Sequence, residues 1–257
     1  MSDTKISWAE KVWNPIIGCT KVSVGCKNCY AEKFANRWKG RLPDYSEVIT
    51  DGHWNGSAIY IPERLFEPQY WKKPKRIFVC SMGDLFHKDV DEVWIKNVFM
   101  TINQCPQHQF IILTKRSERA KEWFDKHSGK IKHDNYIIGT SCEDQLTADK
   151  RIPILMQIPG KKFVSFEPLL GEINLILIKH DDCCLNPLSQ LDWVVIGAES
   201  IGGRPGRECK IEWIENIIKQ CKFAEIPVFV KQIHLNGKLL KHIEDFPKHL
   251  QIQEYPK

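Results

Sequence analysis

Cys19, Cys26 and Cys29 crowd into one short stretch with the spacing C-x6-C-x2-C. Three thiolates on such a loop can hold one metal ion that takes a fourth ligand from elsewhere, or three irons of a cubane whose fourth iron stays open. A structural zinc site wants a fourth Cys or His at a defined spacing, yet the loop holds none and the next histidine is His53. This favours the open-iron reading, with zinc and inert thiols as the alternatives. Gly18 and Gly25 would let backbone N–H groups come close to a cluster. Seven more cysteines follow. Cys80, Cys105, Cys142, Cys209 and Cys221 lie in apolar surroundings, where a reduced cysteine behaves as a small hydrophobe, and Cys183–Cys184 is an adjacent pair in a polar loop with no evident role. A disulfide framework belongs to short secreted chains, so free thiols are expected.

The elements that must position this loop are legible as apolar runs. Residues 76–80, 110–113, 136–139, 163–166, 193–196 and 228–230 are continuous rather than alternating, as expected of parallel strands covered on both faces. Between them lie helical stretches such as Val90 to Cys105 and Ile211 to Cys221, the latter with Ile214, Ile217, Ile218 and Cys221 on one face. Tyr30 to Trp38 reads as a helix directly after the cysteines. The pattern predicts an α/β fold, a partial (β/α)6 TIM-like barrel with parallel strands and an N-terminal cysteine loop. A single domain over residues 1–257 is expected, with an ordered, aromatic-rich insertion at about residues 40–74 and a long surface connection from Ile173 to Leu191.

Barrels of parallel strands carry their chemistry at the C-terminal edge of the sheet. That edge would present Ser81, Gly83 and Asp84, then Thr114, Lys115 and Arg116, then Thr140, Ser141 and Glu143. Glu167 follows the fourth run, Gly197, Ala198 and Glu199 the fifth, and Lys231 and Gln232 the sixth. Strands often stop at polar residues simply because loops are solvated. Six in six is a stronger pattern. Converging charges of both signs suit a zwitterionic or anionic ligand. The basic run Lys72-Lys73-Pro74-Lys75-Arg76 precedes a strand and reads as a solvated face on the opposite side.

With 42% apolar and 27% charged residues the chain has an ordinary globular composition. A net charge of +5 leans towards anionic partners without identifying nucleic acid. No apolar run approaches the ~20 residues of a membrane span, and the polar stretch Met1 to Lys5 is no secretory leader. A cytoplasmic protein with no membrane partner is expected.

Trp13-Asn14-Pro15, Gly18-Cys19-Thr20-Lys21-Val22-Ser23, Gly25-Cys26, Asn28-Cys29-Tyr30-Ala31-Glu32, Ser81-Met82-Gly83-Asp84-Leu85-Phe86-His87, Leu113-Thr114-Lys115-Arg116, Glu167-Pro168-Leu169-Leu170-Gly171 and Gly197-Ala198-Glu199-Ser200 follow one another in this order along the chain. Together they resemble a phage- and prophage-associated three-cysteine-motif family of uncharacterised proteins. That family in turn resembles a divergent branch of the radical S-adenosylmethionine (SAM) superfamily. The resemblance implies a [4Fe–4S] cluster on Cys19, Cys26 and Cys29, SAM on its open iron, and an external electron donor. Reductive cleavage of SAM would give a 5′-deoxyadenosyl radical that abstracts hydrogen from a substrate. It further implies that Ser81, Gly83 and Asp84 receive the SAM ammonium and that Lys115 or Arg116 meets a carboxylate. Ser141 and Glu143 would hold the ribose, and Gly197 and Glu199 belong to the turn at the adenine. Glu167 and Lys231 are left as the catalytic candidates. Two features depart from the superfamily pattern: the first cysteine gap is six rather than three, and Asn28 stands where an aromatic residue is usual, with Tyr30 as its substitute. Phage association and basicity point to a nucleic acid or nucleoside substrate. The rivals are a non-catalytic, metal-stabilised module that binds nucleic acid or a protein partner, and a SAM-dependent methyltransferase, which would leave the cysteines idle.

Overall fold

The computed structural model describes residue 4 and residues 6–127, 135–180 and 183–256. Its centre is an eight-stranded sheet: β1 (Lys11–Trp13), β2 (Arg76–Val79), β3 (Gln109–Thr114), β4 (Tyr136–Ser141), β5 (Lys161–Phe166), β6 (Trp193–Gly197), β7 (Val228–Leu235) and β8 (Lys238–Leu240). The strands lie side by side in chain order, from β1 to β8. β1–β2, β2–β3, β5–β6 and β6–β7 pair in parallel, whereas β7–β8 is an antiparallel hairpin. A doubly wound sheet would reverse its order at a switch point; this one does not. All six apolar runs are strands, and the sheet adds β1 and β8 to them.

Among the described residues five α-helices alternate with the strands: α1 (Tyr30–Trp38), α2 (Glu92–Gln104), α3 (Ser117–His127), α4 (Gln145–Met156) and α5 (Ile211–Phe223). α1 has the expected bounds, and α5 runs two residues further than expected. α2 begins at Glu92 rather than Val90 because Asp91 caps it, its carboxylate accepting from Val93 N–H at 2.7 Å. The insertion is ordered as short 3-10 turns, one small hairpin of Ile49–Thr50 with His53–Trp54, and a strand Ile59–Tyr60 that pairs antiparallel with Ile16–Ile17. The hairpin turns at Asp51-Gly52, both at positive φ, as a tight hairpin turn requires. The Ile173–Leu191 connection is not plain loop: it holds a hairpin of Ile178–His180 with Cys183–Leu185, which places Cys183 and Cys184 in a strand, and a 3-10 turn at Pro187–Gln190.

The chain divides into two compact units, Met1–Ile138 and Gly139–Lys257. In the first, Trp13 meets Phe110, and Phe99 packs on Trp123 with ring centroids 4.7 Å apart. In the second, Trp193 sits among Phe163, Phe229 and Tyr255. The C-terminal residues form a strap along β7: Val230 N–H donates to Ile252 O, Glu254 N–H to Val228 O, and the Trp193 indole to Glu254 O. Among the described residues no helix is long and apolar enough to cross a membrane.

Candidate functional site

In the first unit the chain leaving β1 is stitched to the chain leaving β2. The Asn14 side-chain oxygen accepts from Met82 N–H at 2.9 Å and from the Ser81 hydroxyl at 3.2 Å. Gly18 N–H donates to Met82 O, and Gly18 pairs with Gly83 as an isolated parallel bridge. Both glycines are needed for this approach. Gly18 has φ +91, and a Cβ there would lie 2.4 Å from Ser57 O; a Cβ on Gly83 would lie 3.0 Å from Gly18 O. The stitching sets Cys19 beside the end of β2.

Asp84 organises the turn after β2. Its Oδ1 accepts from Phe86 N–H at 2.9 Å and the Thr114 hydroxyl at 2.8 Å, and its Oδ2 accepts from Arg116 at 2.7 Å and Lys115 N–H at 3.3 Å. Arg116, fixed by this buried ion pair, spreads its remaining donors over the cysteine loop. It reaches Thr20 O at 3.0 Å, Thr20 Oγ1 at 2.7 Å and Cys19 Sγ at 3.7 Å. Burial pushes the Cys19 thiol up to about 12; the Asp84 carboxylate adds to the rise and the Arg116 guanidinium opposes it. His87, fully buried, accepts from Asp89 N–H at Nδ1, so its proton sits on Nε2 and is donated to Thr20 Oγ1 at 3.0 Å. Burial, with Arg116 nearby, pulls His87 down to about 4, so it is neutral.

Lys21, two residues after Cys19, is tied to the buried Glu32 of α1, which also meets His53. The Tyr30 hydroxyl donates to Ser81 O at 2.8 Å, pinning the first turn of α1 to the end of β2. Cys19, Cys26 and Cys29 are free, partly exposed thiols. Cys19 donates to Thr20 O, Cys26 lies 3.8 Å from the Ser23 hydroxyl, and Cys29 packs against the apolar cluster under α1. Among the described residues no three His, Cys, Asp or Glu side chains are gathered as a ready metal site. The donor set nonetheless fits a soft metal or an iron–sulfur cluster: three thiols on one glycine-flanked loop, with a guanidinium donor at the first. Gathering the sulfurs would accompany metal uptake, as is usual where metal binding and local folding are coupled.

The second unit carries three more strand-end acids, each held by a base. Glu143 is buried against Arg151 of α4 at 2.7 Å, and the same guanidinium donates to Ser141 O at 2.6 Å. Glu167 pairs with Lys231 at 2.6 Å and accepts from the Ser165 hydroxyl. A Cβ on Gly197 would strike Glu167 Oε1 at 2.8 Å, so that glycine makes room for the carboxylate. Glu199 accepts from Arg207 through its Nε, NH2 and backbone N–H. Gly206 leaves space for this pair, since a Cβ there would lie 2.6 Å from Glu199 Oε2. Sequence reasoning found the acids but missed Arg151, Arg207 and Thr20. Asp84 caps no helix; it braces a turn. The basic run at residues 72–76 is partly neutralised by Glu10, which meets Lys75 and Arg76.

The model of a family described as a protein of unknown function (DUF5131) matches residues 3–245. The chain belongs to that family. No curated protein and no solved structure matches it. The match takes in the cysteine loop and all four strand-end ion pairs, so the arrangement described here lies wholly within the DUF5131 region.

Proposed function

We propose that this DUF5131 protein is an iron–sulfur protein and a radical SAM-type enzyme of the phage-associated three-cysteine branch. In this reading Cys19, Cys26 and Cys29 hold three irons of a [4Fe–4S] cluster and SAM takes the fourth. The observation that carries it is the reach of Arg116, held by Asp84, to Cys19 Sγ and Thr20 at the ends of β2 and β3. A structural cysteine needs no buried cation. A sulfur ligand does gain from one, because donors to the sulfurs orient the loop and tune the cluster. When bound, the cluster supplies single electrons at low potential for cleaving the SAM sulfonium bond.

The chain's own residues have distinct parts. Asp84, with both oxygens engaged by protein donors, acts by aiming Arg116. Arg116 offers positive charge to a ligand sulfur and to the carboxylate of SAM. His87 and Thr20 hold the first cysteine segment without contributing charge. In the second unit Glu167 and Lys231 form the pair best suited to exchange a proton with a substrate, being partly exposed. Arg151 and Arg207 fix the acids Glu143 and Glu199 of the second unit. Sequential parallel strands support the partial-barrel reading. The eight cysteines whose side chains are described are thiols rather than disulfides, which suits a reducing, cytoplasmic setting. The substrate class is a nucleic acid or nucleoside, and the reductant an external electron donor.

Anaerobic reconstitution with iron and sulfide tests the proposal. Four irons per chain, lost in Cys29→Ala, and 5′-deoxyadenosine detected by mass spectrometry after reduction with SAM are the expected results. A four-iron spectrum without SAM cleavage would favour a non-catalytic module, and stoichiometric zinc in its place would make the loop a metal-stabilised binding surface.

A further inference from the structure

The charge of this protein is not spread evenly. Residues 21–41, which contain the cysteine loop and α1, hold Lys21, Lys27, Lys33, Arg37, Lys39 and Arg41 against a single acid, Glu32, a net +5 that equals the formal charge of the whole chain. Glu32 is buried and already paired with Lys21 and His53. Ala31 and Ala35 turn inward onto Tyr45, Val48 and Ile49. The acids of residues 42–54 therefore belong to elements packed on the covered side of α1, and Asp44 among them is taken by Arg64.

At 100° per residue the outward face of α1 carries Lys33, Arg37, Tyr30 and Phe34, in that angular order, within an arc of about 100°. All four are exposed, Tyr30 at 53% and Phe34 at 43%. The two rings are braced: the Tyr30 hydroxyl is anchored to Ser81 O, and Phe34 stacks on Trp38, over which Arg41 sits 5.1 Å from the ring centroid. Exposed, orientationally fixed aromatic faces beside cations are the arrangement on which unpaired bases stack while the backbone phosphates are neutralised. Helices that lie on membranes bury their apolar side in the lipid, whereas here that side, with Ala31 and Ala35, is already covered by the protein.

We propose that the outer face of α1 binds single-stranded nucleic acid, with bases on Tyr30 and Phe34 and phosphates on Lys27, Lys33, Arg37 and Arg41. Duplexes offer no free base faces to the rings and would bind more weakly. That the bound strand is the substrate rests on the reading of the cysteine loop; the binding itself does not.

The test is fluorescence anisotropy on the full chain, with a labelled mixed-sequence single strand of about 16 nucleotides, as DNA and as RNA. Affinity should fall steeply with salt. Phe34→Ala should weaken binding roughly tenfold through lost stacking. Lys33→Glu/Arg37→Glu, which alters only surface charge, should weaken it at least as much. Lys72→Glu/Lys73→Glu, with the same change of net charge elsewhere, should stay within about twofold, because a local strip and not the overall charge is at work. Circular dichroism confirms that each variant is folded. Unchanged affinity in Lys33→Glu/Arg37→Glu, an equal loss in Lys72→Glu/Lys73→Glu, or full displacement of the strand by phosphatidylglycerol vesicles would overturn the proposal. Binding that persists in a chain unable to load iron supports it while sinking the cluster reading, and loading without binding does the reverse.

Discussion

Removing the Asp84 carboxylate strands a guanidinium whose side chain is only 12% exposed. Breaking one side of a buried pair costs about 3–5 kcal/mol, so Asp84→Ala should lower stability by that amount in urea denaturation. Glu143→Ala should behave alike, because Arg151 is still more buried. His87 links stability to pH. Its folded pKa is about 4, whereas an unfolded histidine titrates near 6.5. Above that value both states are neutral and nothing changes. As pH falls towards 4 the unfolded chain takes up the proton first, so up to about 3 kcal/mol of stability is lost across that window. Denaturation curves near neutrality and near pH 5 should reveal the loss, and His87→Gln should flatten it. Asp84, Glu143, Glu167 and Glu199 were legible in the sequence because each follows an apolar run. Arg151 and Arg207 were not: each lies eight residues beyond its acid, and only the turn of a helix or hairpin brings it back. Thr20 was hidden because a threonine beside a cysteine carries no signal until Arg116 arrives from 96 residues away.

At the level of elements, the glycines that stitch β1 to β2 are the most sensitive joints. Gly18→Ala adds a Cβ into Ser57 O at a positive φ. It should cost at least about 2 kcal/mol, and it should reduce iron loading more than Glu143→Ala does, although that variant loses about 3–5 kcal/mol. Asp144 and Thr147 form a reciprocal cap at the start of α4, and Asp144→Ala should cost about 1 kcal/mol by thermal denaturation. Strands β2 to β7 were readable since a strand buried on both faces must be apolar throughout. β1 was not, because Lys11-Val12-Trp13 is too short to show any period, and only the first part of β7 was legible because Lys231 and Gln232 interrupt its apolar run while remaining in the strand. The inserted residues 40–74 were recognisable as ordered from their aromatics, but two-residue strands leave no pattern to read.

For the molecule as a whole, the sequential strand order accords with the alternation of apolar runs and helical stretches along the chain, whereas the C-terminal strap left no periodic signal in the sequence. Its residues lie beyond the DUF5131 match, yet Phe246 and Leu250 are buried and Tyr255 stacks on Trp193. Ending the chain at Asp245 should lower the melting temperature by about 10 °C or more, since several buried side chains are lost together. The four acid–base pairs at the strand ends have a consequence for any mutational survey. Single alanine replacements of Asp84 or Glu143 will look indispensable whatever the group does in catalysis, because each leaves the partner's charge in an interior that solvates it poorly, whereas Lys231 and Arg207 keep contact with solvent. Replacing both members by neutral residues of similar shape, as in Glu143→Gln with Arg151→Met, separates the two effects: a pair that only holds the fold together should be recoverable in this way, and one that handles substrate should not.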